Sequence, residues 1–334
     1  MTRDLFPQSI VAVIWDFDKT LIPGYMQAPL FKHYGVDEEA FWREVEGLRG
    51  FYKWRGLDLI SEDTLYLNHL LTYVRSGLCP DLSDKMLKDL GGEIEFFEGL
   101  PEFFQTVKQI AKEEKYQRFA GIQVEHYIVS TGLRKMILGS KISPYVEGVW
   151  ACEFVADTAQ PGYLDGELRL NLSLDSISRE EVLDKSAAKP IVDIGYVIDN
   201  TTKTRAIFEI NKGTNKEPNI DVNASIDEGD RRVPFTNMLY IADGPSDVPV
   251  FSVVKRNGGK AYAVYPAGNE KALKQANDLL REGRVDAFGE ADYRPGSQTH
   301  MWIMMTVRGM ADSIMDAREK KLQNKVGKAP VHLS

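Results

Sequence analysis

Cysteine is scarce in this chain: Cys79 and Cys152 are the only two in 334 residues. That is too few for a disulfide framework or a thiolate metal cluster, and it suits a reducing compartment. Long apolar runs are missing too, since nowhere do about 18 apolar residues follow one another, the length a membrane helix needs. The opening Met1-Thr2-Arg3-Asp4-Leu5-Phe6-Pro7 is not followed by a signal-length apolar stretch before Asp16. Positive charge is in deficit, with 41 Lys and Arg against 49 Asp and Glu, a net charge of −8. An acidic chain is a poor partner for nucleic acid or an anionic membrane surface, and any anionic substrate must be drawn in by a local cation. The expectation is a soluble cytoplasmic protein with a small-molecule partner, no nucleic-acid partner and no membrane partner. No internal repeat is present.

What is present is the composition of an ordinary globular protein, 43% hydrophobic and 27% charged, long enough for one large domain or two smaller ones. Its organising stretch is the apolar run at residues 10–15, Ile10-Val11-Ala12-Val13-Ile14-Trp15, followed by Asp16-Phe17-Asp18-Lys19-Thr20. A run this apolar reads as a strand buried on both faces of a parallel sheet. Ligands of open α/β sheets bind beyond the carboxyl ends of the strands, where Asp16 and Asp18 fall. Side chains two apart on an extended segment point the same way, and crowded carboxylates repel unless a cation neutralises them. Hard oxygen donors of this kind suit Mg²⁺. The plainer alternative is a strand end finished by solvated acids.

Residues 23–97 change to helical texture, with apolar residues at helical spacing such as Ala40-Phe41, Val45 and Leu48, then Leu67, Leu70, Leu71 and Val74. Such a block, inserted at the mouth of a sheet, is placed to act as a lid, the alternative being that it is part of one continuous core. Gly99 and Pro101 then punctuate the start of a helix at 102–110. A short strand at 126–129 ends in Ser130-Thr131-Gly132, hydroxyls well placed to hold phosphate oxygens, or simply to cap a helix. Residues 148–174 read as a β-hairpin projecting near the site, with strands at 149–155 and 167–170. Lys203 opens a helix at 203–210, where a cation is disfavoured unless an anion lies nearby, and residues 211–232 read as a polar loop. A further apolar strand at 237–242 ends in Asp243-Gly244-Pro245-Ser246-Asp247. A strand at 261–266, a helix at 269–282 and a helix at 299–322 follow, the last with Met301, Ile303, Met304, Val307, Met310 and Ile314 on one core-facing side. Residues 320–334 read as a frayed tail.

Asp-x-Asp-x-Thr, a Ser at a strand end, a Lys opening a helix and Asp-Gly-x-Ser-Asp, in that order, give a sequence that resembles the haloacid dehalogenase-like (HAD) superfamily of phosphohydrolases. Asp16-Phe17-Asp18-Lys19-Thr20-Leu21 matches the first motif, Ser130 the second, Lys203 the third and Asp243-Gly244-Pro245-Ser246-Asp247 the fourth; Lys189 and Lys212 are alternatives to Lys203. The helical insert resembles the cap of the phosphoserine-phosphatase-like branch. The resemblance implies an α/β fold, a Rossmann-like core with a mostly parallel sheet flanked by helices, made of residues 1–22 and 98–334, with a helical cap at 23–97 and the β-hairpin. It implies that Asp16 is a nucleophile forming an aspartyl-phosphate and Asp18 the acid and base. Ser130, Thr131 and Lys203 would hold phosphate oxygens, and Asp16, Asp18 (through its carbonyl), Asp243 and Asp247 would surround Mg²⁺. Dehalogenases of the family lack an acid at the position of Asp18 and P-type ATPases carry Thr there, so the resemblance points to phosphate esters, with a phosphotransferase or phosphomutase, or a non-catalytic partner-binding scaffold, as alternatives. No Glu follows the first motif in Ile22-Pro23-Gly24-Tyr25, a departure from the phosphoserine-binding pattern. Arg49 and Arg55 remain as cap cations that read an anionic group, or else as surface and packing. The substrate expected is a small phosphorylated metabolite.

Overall fold

In this computed structural model the described residues are 8–117, 121–156, 158–159, 161–162, 184, 186–217 and 219–326. The apolar run becomes strand β1 (Ile10–Trp15), every residue of which is buried. It lies at the centre of a seven-stranded sheet, flanked by β2 (Gln123–Leu133) and β5 (Met238–Ala242). Outward from β2 come β3 (Gly148–Val155) and β4 (Asp193–Tyr196), and outward from β5 come β6 (Lys260–Tyr265) and β7 (Ala287–Glu290). All pairings are parallel except β3 with β4. The α/β class and mostly parallel sheet expected from the sequence are therefore those observed. Because β1 has a neighbour on either side from distant parts of the chain, the connections leave it in opposite directions and open a crevice at its carboxyl end.

Trp15 anchors β1 from below the crevice. Its ring packs against Phe103, Phe104, His126 and Tyr293. Its indole N–H donates to His126 Nδ1 at 3.1 Å, which leaves the His126 Nε2–H to donate to the Phe104 carbonyl at 2.9 Å. Burial pushes His126 down to about 3, so it is a neutral core residue.

Between β1 and α5 (Glu102–Gln109) the chain forms α1 (Ala28–Tyr34), α2 (Glu38–Trp54), α3 (Glu62–Arg75) and α4 (Asp84–Gly91). Local chemistry starts three of these. Asp37, Ser61 and Ser83 each accept a hydrogen bond from the backbone N–H three residues on, which satisfies a donor the helix cannot. Phe31, Phe41, Leu67, Leu70 and Leu71 bury their side chains in the same apolar cluster as the sheet. Helix α4 lies hard against α7 (Arg134–Gly139), since a Cβ on Gly139 would stand 1.7 Å from the Lys88 carbonyl oxygen and one on Gly91 2.1 Å from that of Met136. Only glycine permits so close a crossing.

After α6 (Glu114–Gln117) and α7, the described residues also form α8 (Lys203–Lys212), α9 (Val248–Arg256), α10 (Glu270–Arg281) and α11 (Gln298–Val326). Several expectations need correction. The strand expected in a projecting hairpin, β3, is a sheet member paired to β2, and its antiparallel partner is β4; the expected strand at 167–170 lies outside the described residues. Strands β4 and β7, of four residues each, carry no long apolar run because they lie at the sheet edges, where β4 is largely exposed and β7 only partly covered. Helix α11 continues to Val326, into the segment expected to fray. Met301, expected in its core stripe, is 56% exposed, while Ile303, Met304, Val307, Met310 and Ile314 are buried. No helix is long and apolar enough to cross a membrane among the described residues.

Candidate functional site

The ladder between β1 and β5 extends one residue past the strand, with Asp16 N–H donating to the Ile241 carbonyl at 2.9 Å. That fixes the Asp16 backbone beside the end of β5, from which Asp243 and Asp247 follow directly. Carboxylate oxygens of Asp16, Asp243 and Asp247 lie within 4.8 Å of one another. Lys203, at the start of α8 and 1% exposed, reaches into this group. Its Nζ donates to Asp16 at 2.8 Å and to Asp247 at 2.7 Å. Burial alone would lower the Lys203 ammonium, yet the two carboxylates hold it well above the ordinary lysine range. Lys212, by contrast, donates to the carbonyls of Val222 and Ala224 and secures a loop, while Lys189 is exposed.

One ammonium does not balance three carboxylates. Burial pushes Asp16 up to about 6 despite Lys203, with Asp247 adding to the rise. Asp243 is pushed up to about 7 by burial and then by Asp16 and Asp247. Asp18 goes to about 8, again by burial first and the Asp16 charge second. It accepts from the Met26 N–H at 2.8 Å, which aims the carboxyl inward from a tight turn. A carboxyl with that value is mostly protonated at neutral pH and can donate.

Ser130 follows Ile128, which stands opposite Trp15 in the β1–β2 register, so its 1%-exposed hydroxyl emerges at the level of the acids. The hydroxyl accepts from the Gly132 N–H at 3.0 Å. Thr131 is half-buried, and its carbonyl accepts from the Tyr66 hydroxyl of α3 at 2.6 Å, a direct tie between the helical layer and the strand end. Asp16, Asp18, Ser130, Lys203, Asp243 and Asp247 are thus gathered at one edge of the sheet. Arg49 and Arg55 have their contacts within the helical layer. Arg49 pairs with Glu62 at 2.7 Å with both side chains about two-thirds exposed, and Arg55 stacks on Phe51 with its guanidinium 3.6 Å from the ring centroid.

Sequence reasoning missed three supports. Thr20 Oγ1 donates to the second Asp16 oxygen at 3.3 Å, and the Asp-x-Asp-x-Thr spacing was the available signal. Tyr240 donates to Asp247 at 2.5 Å from inside β5, where an apolar run hides a tyrosine's polar end. Tyr293 donates to the Thr20 carbonyl at 2.6 Å across 273 positions, with no sequence signal at all.

The four motifs behind the HAD-like resemblance therefore occupy one site, on the kind of sheet the resemblance implies. No protein-family model matches the chain. The chain belongs to the same family as an uncharacterised protein of Borreliella burgdorferi, 42% identical over 300 residues that span 89% of this chain and 96% of the relative. Similar solved structures include a HAD family hydrolase from Salmonella enterica serovar Typhi, 12% identical, TM-score 0.44, covering 85% of this chain and 67% of that one. A substrate-bound phosphoserine phosphatase complex is 14% identical, TM-score 0.44, over 85% and 95% of the two chains. A probable phosphoserine phosphatase from Vibrio cholerae is 12% identical, TM-score 0.44, over 93% and 69%. At these scores the reading of function rests on the residues of the site.

Proposed function

We propose that the protein is a HAD-like, Mg²⁺-dependent phosphomonoesterase that acts on a small organic phosphate through an aspartyl-phosphate. The observation that carries this reading is the meeting of Asp16, Asp243 and Asp247 within 4.8 Å, with Lys203 buried among them. Such a group is chemically suited to a hard divalent cation, since all its donors are carboxylate oxygens and its charge is left in excess by one lysine. Asp16, Asp243 and Asp247, with the Asp18 carbonyl, would hold the ion. When bound, it would neutralise the charge of a phosphoryl group beside the acids.

In this reading an Asp16 carboxylate oxygen attacks phosphorus as the ester P–O bond breaks, and Asp18 passes its proton to the departing oxygen. Asp18, now a carboxylate, takes a proton from water as the water oxygen attacks the phosphorus of the acyl phosphate, releasing inorganic phosphate and Asp16. Lys203 keeps Asp16 ionised and oriented, and together with Ser130 and the Thr131 segment it holds the remaining phosphoryl oxygens. Helices α1 to α4 form a cap whose floor contact, Tyr66 to Thr131, stands at the strand end. The buried, unpaired Cys79 and Cys152 suit a cytoplasmic setting. Assay of phosphomonoesters with Mg²⁺ and with chelator, reading inorganic phosphate, tests the proposal. Turnover that persists after Asp16→Asn, or phosphate that appears only on an added acceptor, overturns it.

A further inference from the structure

We propose, on the phosphatase reading above, that the cavity beside Asp243 is a subsite for a second anionic group on the substrate, a carboxylate or a further phosphate, held by Lys19 and Lys271. The cavity measures about 390 Å³, and its wall includes Lys19, Asp243, Asn269, Lys271 and Gln275. Asp243 belongs both to this wall and to the carboxylate group around Asp16. A ligand filling the cavity therefore lies one side chain away from the reacting centre, within the span of a small metabolite.

Neither cation forms an ion pair with a carboxylate among the described residues, although Lys19 lies in the field of Asp243 and Asp18. Lys19 has a left-handed backbone, φ 57°, which a non-glycine residue adopts only where its surroundings enforce it. Its N–H donates to the Gly24 carbonyl at 3.2 Å, and its Nζ donates to the Tyr25 hydroxyl at 2.8 Å. The ammonium also sits 4.2 Å from the centroid of that ring, so a neutral phenol holds it in position while the Asp243 and Asp18 charges act on it from beyond ion-pair distance. Lys271 stands in the first turn of the twelve-residue helix α10, where the helix dipole opposes a cation unless an anion is near. Lys203 also stands in the first turn of its helix, α8, and meets two carboxylates there; Lys271 has no carboxylate within ion-pair distance among the described residues. An anion in the cavity would supply the missing charge.

Neutral donors complete the wall. The Asn269 side-chain oxygen caps the Ala272 N–H at 3.0 Å, which leaves its NH₂ to donate elsewhere. A Cβ at Gly244 would stand 2.8 Å from Gln275 Nε2, so glycine there makes room for the amide at the cavity. In a chain of net charge −8, two lysines against one carboxylate, Asp243, make this wall a local cationic feature that can draw in an anionic metabolite.

The test compares matched substrates at fixed ionic strength: a short phosphomonoester with a terminal carboxylate, one with a second phosphate, and one ending in a hydroxyl. Both doubly charged arms, or the better fitting of the two, should exceed the hydroxyl substrate in kcat/KM by about tenfold, the effect of two partly exposed ion pairs. Lys19→Gln and Lys271→Gln should each reduce that ratio severalfold, and Lys271→Arg should restore it. A wild-type ratio near one, or a ratio unmoved by both substitutions, overturns the subsite. Direct binding of a phosphonate with and without a carboxylate, read by calorimetry on the wild type, separates the two claims. Equal affinities overturn the subsite whatever the turnover, whereas preferential binding with no hydrolysis of any phosphomonoester overturns the phosphatase reading alone.

Discussion

The strand-end acids and the helices above them handle charge in opposite ways. At the sheet edge Asp16, Asp247 and Lys203 are almost wholly withdrawn from water, and each ion has a partner within hydrogen-bonding distance. On the helical layer, Arg49 and Glu62 pair in open solvent, and Arg55 lies on an aromatic face. Coulombic attraction is strong where water is excluded and weak where it is not, so the first arrangement fixes chemistry and the second mostly decorates a surface. A buried group of this kind is costly to assemble, and proteins concentrate such strain and such shifted acids where chemistry is done.

The largest break in that contrast should come from Asp16→Asn, with kcat falling on the order of 10⁴-fold or more in a phosphate-release assay while the circular dichroism stays native. Lys203→Met should follow. On the proposed phosphatase reading it removes one phosphoryl-oxygen donor, worth about 10² to 10³ in kcat/KM. It also strands two buried carboxylates, so denaturant unfolding should register a loss of about 3–5 kcal/mol, which Mg²⁺ partly reverses.

The acids also set a pH dependence whose sign is determined by burial. Asp16, Asp18 and Asp243 are raised to about 6, 8 and 7, above the ordinary carboxyl value of 3.8. Between those limits the folded protein holds more protons than the unfolded chain, so these groups make stability fall as pH rises from about 4 to about 8. A cation that takes the place of the protons should stabilise most at the upper end. Thermal unfolding with and without Mg²⁺ should therefore diverge at pH 8, by about 2.7 kcal/mol at a hundredfold excess over Kd, and converge near pH 4.

Gly139→Ala tests the joint between the two regions. The added carbon overlaps the Lys88 carbonyl, so α4 must shift, at a cost of about 1–3 kcal/mol in unfolding experiments. The smallest effect belongs to Arg49→Ala, with stability changed by no more than about 0.5 kcal/mol and kcat/KM within roughly twofold, because its ion pair is already solvated. A large fall in kcat/KM there would mean that the helical surface closes onto the substrate.

Much of this was legible in the residues. The strands β1 and β5 announce themselves because a strand buried on both faces must be apolar throughout, and the acids that end them then stand out. Asp16, Asp18, Asp243 and Asp247 could be named for that reason. The edge strands β4 and β7 could not, since short strands that lack a neighbour on one side carry no such run. Between Lys203, Lys212 and Lys189 the sequence offered only position in a helix, and three-dimensional proximity to Asp16 separates them. Tyr293, bracing the Thr20 carbonyl, is invisible to any local pattern because 273 residues intervene.

The sequence by itself determined which segments must be withdrawn from water and where their polar ends fall, because periodicity and side-chain chemistry are local properties. Tertiary structure decided which charges share one low-dielectric pocket, which lysine neutralises them, and which cations are left facing an open cavity. Those outcomes depend on distances between residues far apart in the chain, and electrostatic energy depends on distance and burial, not on order along the sequence.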